Sequence, residues 1–147
     1  PQFILGITFG SGTIIAYSLK SNIFSFPLAV LYLGVIAWIV SFDTYYALED
    51  KEDDLKIGIN STAILWGDNA IKYSQILHLY FYSSLLLIAI VNQFSFIFFL
   101  NFIILIALFL HQRKLIKNKQ YMAGFKINNW VGIVALIGFT FEIIYLN

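Results

Sequence analysis

Asp43, Glu49, Asp50, Glu52, Asp53 and Asp54 are six of only eight acidic residues in the chain, and they crowd into one stretch, SFDTYYALEDKEDDLKIGINSTAILWG. On a continuous helix with Asp43 at zero, Asp50 falls at about −20°, Asp54 at about +20°, Ala47 at about +40° and Tyr46 at about −60°. Three aspartates then share one stripe, with Asp50 and Asp54 one turn apart and Asp43 two turns deeper in the apolar run. Two carboxylates at this spacing can share a hard cation. Mg²⁺ suits them, because it takes one or two protein carboxylates and completes its shell with water and substrate phosphates. Without a cation, like charges at i and i+4 repel. A solvated acidic cap after an apolar helix accounts equally well for Glu49, Glu52 and Asp53. It does not account for Asp43, and the pattern alone leaves both readings open.

The elements that must carry these residues are apolar. The hydrophobic share is 60%, the charged share 12% and the mean hydropathy +0.81, where a soluble domain carries about 25% charge. A membrane crossing needs roughly 20 apolar residues. Five segments qualify, at 1–19, 25–48, 70–91, 94–111 and 125–146. The expected fold is all-α, a five-span transmembrane helical bundle forming a single integral membrane domain over residues 1–147. Cysteine is absent, which excludes disulfides and thiolate metal sites. The first segment lacks the basic start and small-residue cleavage site of a signal peptide. The chain starts mid-pattern at Pro1, as a portion of a longer protein would.

Charge placement gives an orientation. Lys51, Lys56 and Lys72 flank the acidic stretch, and Arg113, Lys114, Lys117, Lys119 and Lys126 lie between the fourth and fifth segments. The other two connections carry only Lys20. Five alternating spans put the two basic loops on one side, and the positive-inside rule makes that side cytoplasmic. The lipid bilayer is thus the expected surrounding, and no nucleic-acid partner is expected.

Other residues have plainer readings. Gly6 and Gly10 form a GxxxG pair suited to close helix packing. Pro27 fits a first helical turn. His78 is read as a buried or interfacial hydrogen-bonded histidine, and His111 as a helix-terminal cation. Glu142 is an intramembrane acid, a functional hypothesis by default. Its place near the end of the last segment favours a structural role.

DTYYALEDKEDD resembles the second aspartate-rich motif, DxxYAxxDxxxD, of the UbiA family of intramembrane aromatic prenyltransferases. Asp43, Tyr46, Ala47, Asp50 and Asp54 fill its named positions. LKIGINSTAILWG resembles the branch that prenylates 4-hydroxybenzoate for ubiquinone. PQFILGITFG resembles the start of the family's fifth transmembrane helix, and HQRKLIKNKQYMAGFKINNWVG its connection into the last. The resemblance implies the C-terminal five of nine helices around a cavity near the cytoplasmic side, in a membrane of the bacterial inner type. It implies Asp50 and Asp54 as carboxylates for Mg²⁺ on a polyprenyl diphosphate. It places Asp43 beside the aromatic acceptor, to position or deprotonate it, with Tyr46 lining the same cavity. Lys51 and Lys56 would help neutralise diphosphate, although lysines beside an acidic loop also serve as plain surface charge.

Other functions stay open on sequence grounds. They are a different acceptor within the family, a cation path through Asp43, Asp50 and Asp54, and a non-catalytic membrane fragment. The family's first aspartate-rich motif, NDxxDxxxD, and its YxxxK-type motif have no counterpart here, so half the metal shell would come from elsewhere, for example from a separate N-terminal half. The chain alone, purified in lipid with Mg²⁺, 4-hydroxybenzoate and a polyprenyl diphosphate, is therefore expected to give no prenylated product. Chromatography of the lipid extract reads the result.

Overall fold

The computed structural model of the chain describes residues 1–19 and 25–145, without the side chain of Tyr145. Lys20, with the connection it sits in, and the last residues of the fifth predicted segment lie outside the described residues. The order is α1 (Gln2–Ser18), α2 (Phe26–Glu49), α3 (Lys51–Ile57), α4 (Thr62–Leu65), a 3-10 turn at Gly67–Asn69, α5 (Ala70–Val91), α6 (Phe96–Lys117) and α7 (Tyr121–Tyr145). The chain is all-helical among the described residues and divides into two compact units, Pro1–Ile88 and Ala89–Asn147.

In the first unit α2 is the central element. Ser25 caps it by accepting the Leu28 N–H at 3.3 Å, and Pro27 lies in the first turn, where a missing N–H costs nothing. α1 packs antiparallel on one face of α2. A Cβ at Gly6 would lie 3.0 Å from Val40 and 3.2 Å from Ile36, and one at Gly10 would lie 3.1 Å from Ile36. The GxxxG pair therefore brings two backbones together, as its spacing predicts. α5 packs on another face of α2. There Gly34 meets Ser84, and the Trp38 and Phe81 rings stack at 4.9 Å and 8°. Deeper in this seam, the Ser74 hydroxyl donates to the Ser41 carbonyl oxygen at 2.5 Å, and His78 Nδ1 lies 3.4 Å from Ser41 Oγ. His78 is fully buried with its ring edge-on to Tyr82 at 5.0 Å. It is the buried, hydrogen-bonded histidine that its position suggests.

The second unit is an antiparallel hairpin of α6 and α7. Asn101 donates to the Val134 carbonyl at 2.9 Å and overlies Gly138, while Gln112 donates to the Gly124 carbonyl at 2.9 Å beside Ile116. α6 runs to Lys117, not to 111, and α7 begins at Tyr121, not at 125. Most of the predicted basic loop is thus helix. Lys114 and Lys117 sit in the last turn of α6, where cations offset the helix dipole. The turn closes when Lys119 adopts φ 58°, Gln120 N–H reaches Leu115 and Lys119 N–H reaches Ile116. That arrangement satisfies the carbonyls at the helix end.

The five-span expectation is matched in part. Four helices among the described residues are long and apolar enough to cross a membrane, at 26–49, 67–91, 96–117 and 121–144. α1 has 17 residues. It is about 26 Å long, short of the roughly 30 Å hydrocarbon core.

Gly34→Ala tests the α2–α5 seam. The added Cβ would lie 2.8 Å from Ser84 Cβ, an atom on the backbone's own stem that cannot swing aside. A loss of about 1–3 kcal/mol is expected in equilibrium unfolding in mixed micelles. Gly12→Ala, with nothing within 4 Å, is expected to leave stability unchanged or slightly raised.

Candidate functional site

The acidic stretch does not form one continuous helix. α2 ends at Glu49 and α3 begins at Lys51, with Asp50 between them at φ −90° and ψ 5°. The break has an electrostatic cause. In an unbroken helix Glu52, Asp53 and Asp54 would extend the carboxyl end of α2, where the dipole repels anions. Restarting at Lys51 puts all three in the first turn of α3, where the dipole attracts them. Each such placement is worth about 0.3–1 kcal/mol.

The spacing of the motif survives the break in part. Asp50 N–H still bonds the Tyr46 carbonyl at 3.2 Å, so the phase from Asp43 through Tyr46 and Ala47 to Asp50 is that of one helix. Asp54 follows by its own turn, with its N–H on the Asp50 carbonyl at 2.9 Å. The angular relation of Asp54 to Asp43 belongs to a continuous helix and does not carry over. Asp43, Asp50 and Asp54 are all half-buried, and Ala47 is buried. Tyr46 is exposed and stands one turn before Asp50, its carbonyl accepting the Asp50 N–H. Lys51 is half-buried, while Lys56 is exposed and forms an ion pair with Asp53 at 2.7 Å. Among the described residues, no three of His, Cys, Asp and Glu are grouped to hold a metal.

Asp43 sits apart from Asp50, on the side of α2 that faces α1. It borders an open groove of about 390 Å³ whose other walls are Pro1, Ile4, Leu5, Thr8 and Phe9. Gln2, buried, lies at the start of α1. The Gln2 amide oxygen accepts the Thr62 N–H at 3.0 Å, at the start of α4. Thr62 Oγ1 meets Thr44 Oγ1 at 2.7 Å, and Thr44 donates to the Val40 carbonyl at 2.6 Å. A chain of polar contacts therefore runs from Gln2 on α1 through α4 to Thr44 on α2. Gln2, Thr44 and Thr62 went unmarked in the sequence reading. The available signal was a glutamine opening an apolar helix.

Glu142 is 2% exposed, and its work lies elsewhere. It accepts the Ser95 N–H at 2.9 Å and the Ser95 hydroxyl. Ser95 is the residue that begins α6, so the acid satisfies an open helix end inside an apolar hairpin.

An all-helical arrangement with four helices of membrane length among the described residues is that of an integral membrane protein. The chain matches the model of the UbiA prenyltransferase family over residues 1–133 and belongs to that family. It is 43% identical to the 4-hydroxybenzoate octaprenyltransferase of Serratia proteamaculans (strain 568), over 94% of this chain and 49% of that protein. It is 35% identical to the protein of the same name from Saccharophagus degradans, over 100% of this chain and 50% of that protein. A third of that name, from Tolumonas auensis, is 34% identical over 94% of this chain and 49% of its own length. The chain spans about half the length of the curated relatives it matches. No solved structure matches.

Glu142→Leu is expected to lower stability by about 1–3 kcal/mol, because it leaves the Ser95 donors unmet in an apolar setting. Glu142→Gln, which keeps an acceptor, is expected to recover most of the loss. Unfolding of both variants in mixed micelles checks the pair.

Proposed function

We propose that the chain is the C-terminal half of a 4-hydroxybenzoate polyprenyltransferase, one integral membrane domain over residues 1–147. The protein would move a polyprenyl group from its diphosphate to the ring of 4-hydroxybenzoate. The observation that carries the reading is the Tyr46–Asp50–Asp54 arrangement at the α2–α3 break, with Asp43 deeper on the same helix. Family membership and the names of the three relatives support the substrate class.

The residues present fit a magnesium ion. Asp50 and Asp54 offer hard oxygen donors one turn apart, and two carboxylates are what Mg²⁺ takes from a protein when diphosphate and water fill the remaining positions. Bound there, the metal would act as a Lewis acid on the leaving diphosphate. Tyr46, one turn before Asp50, would line the same cavity. Lys51, half-buried beside Asp50, adds positive charge there. Lys56 does so only by leaving Asp53.

The allylic C–O bond breaks with its electron pair on the diphosphate, and the ring carbon ortho to the phenol hydroxyl forms the new C–C bond. Asp43 orients the phenol by accepting its proton in a hydrogen bond, which enriches the ring with electrons. The proton displaced from that ring carbon passes to the released diphosphate, which restores aromaticity. Apolar walls such as Ile4, Leu5 and Phe9 keep water from the allylic cation.

In this reading α1 is a fifth crossing. Its antiparallel packing on α2 and its exposed Phe3, Ile7 and Ile15 support that placement. The ends bearing Gln2 and Asp50 then face the cytoplasm, with Lys51, Lys56 and Lys72 beside them, in a membrane of the bacterial inner type.

Asp50→Asn in the complete native protein is expected to lower turnover by about 100-fold or more. The residual activity should need more Mg²⁺ for half-saturation. Asp53→Asn, outside the motif, is expected to stay within about 3-fold of wild type. Titration of the prenylation rate with Mg²⁺ checks both, and equal rates for wild type and Asp50→Asn would overturn the reading.

A further inference from the structure

The α6–α7 hairpin carries its cations at one end. Arg113, Lys114 and Lys117 lie in the last turns of α6, Lys119 in the connecting turn and Lys126 near the start of α7, and all are exposed. After Asp68 the sequence holds a single acid, Glu142. It is engaged with Ser95 at the opposite end of the hairpin. The basic end therefore has no carboxylate from its own unit. The carboxyl end of a helix bears about half a negative charge, so the dipole of α6 offsets one of these cations at most.

The cations share a face with the apolar surface of α6. With Arg113 at zero, Lys117 falls at about +40° and Lys114 at about +100°. Ile106, Leu110 and Ile103 fall at about +20°, +60° and +80°, and all three are exposed. The buried Leu105, Phe109 and Ile116 fall at about −40° to −80°. One outward face of α6 thus runs as an apolar stripe about 15 Å long into three cations. α7 repeats the pattern from its other end. With Lys126 at zero, Trp130, Ile133, Ile137 and Phe141 fall between about −20° and +60°, and all four are exposed. Arg113 is anchored at the boundary, its guanidinium carbon 5.8 Å from the centroid of the Phe109 ring. That contact uses none of its N–H donors, which suit a phosphate.

We propose that this face of α6 binds an anionic phospholipid, with its phosphate on Arg113, Lys114 and Lys117 and an acyl chain along Leu110, Ile106 and Ile103. Charge complementarity selects the occupant. A zwitterionic lipid brings no net charge to three clustered cations, and a soluble anion gains nothing from the stripe. The sequence of surfaces along the face, apolar and then cationic, matches a lipid from tail to headgroup. The site concerns the membrane around the protein and is independent of the reaction proposed above. Each Lys or Arg at an anionic lipid surface is worth about 5-fold in affinity.

The test uses the complete native protein in nanodiscs of mixed dioleoyl phosphatidylglycerol and dioleoyl phosphatidylcholine, with native mass spectrometry to count the lipids retained. Retention of phosphatidylglycerol is expected to exceed that of phosphatidylcholine by about 10-fold or more. Arg113→Gln/Lys114→Gln/Lys117→Gln is expected to bring the two within about 2-fold, and Lys117→Gln alone to weaken phosphatidylglycerol by about 5-fold. The single variant serves if the triple variant does not accumulate folded. Lys72→Gln, on α5, is expected to keep the preference. Dihexanoyl phosphatidylglycerol, whose chains are too short to follow the stripe, is expected to compete poorly, and glycerol phosphate not at all. If the cations served only the helix dipole, the variants would lose stability equally in either lipid and the retained lipids would not change. Equal retention of the two lipids, a preference that survives in the triple variant, or displacement by glycerol phosphate would each overturn the proposal. The first outcome would leave an acidic protein surface as the partner of this end.

Discussion

A helix cannot carry a block of carboxylates past its own carboxyl end without cost, and the chain meets this constraint by stopping at Asp50 and starting again at Lys51. The dipole that would repel Glu52, Asp53 and Asp54 at the end of α2 attracts them at the start of α3. The interruption also gives Asp50 a place in both helices. Its N–H closes the last turn of α2 on Tyr46, and its carbonyl opens the first turn of α3 toward Asp54. The two carboxylates suited to a cation thus stand at a corner and not along a rod, while Asp43 remains inside the apolar helix.

The same chain shows what polar groups do when they are not part of a site. Ser41, Ser74 and His78 join α2 to α5, Asn101 and Gln112 join α6 to α7, and Glu142 closes the start of α6. Each contributes a polar contact to a seam between two helices. Asp43 differs in facing an open groove. That contrast sorts the two acids within apolar helices. One is consumed by a helix end, and the other keeps one side turned to a space that a small molecule can enter.

Much of this was legible in the residues. Apolar run length gave the order and approximate bounds of the long helices, because lipid-length segments announce themselves by composition alone. The glycine pair of α1 and Pro27 behaved as their chemistry demands. The motif spacing located Asp43, Tyr46 and Asp50 on one helical phase. The break at Asp50 was not legible, because every residue from Glu49 to Asp54 is compatible with helix. Only the balance of dipole against charge decides where the helix restarts. The ends of α6 and α7 were misjudged for a related reason: Arg113, Lys114 and Lys117 read as loop by charge, yet a helix carboxyl end favours them. Gln2 and Thr62 were out of reach, since they are 60 residues apart and meet only once α1 lies along α2.

The Glu142–Ser95 contact has a consequence for how the second unit is made. Its partners are 47 residues apart, so at a synthesis rate of about 5–20 residues per second the start of α6 waits on the order of seconds for its acceptor. During that interval the Ser95 N–H must stay at a depth where water or lipid headgroups can serve it. The start of α6 therefore gains its carboxylate acceptor only when α7 is in place beside it. Together with Asn101 and Gln112, this carboxylate ties the two helices of the hairpin, and it is the tie at the end where α6 begins.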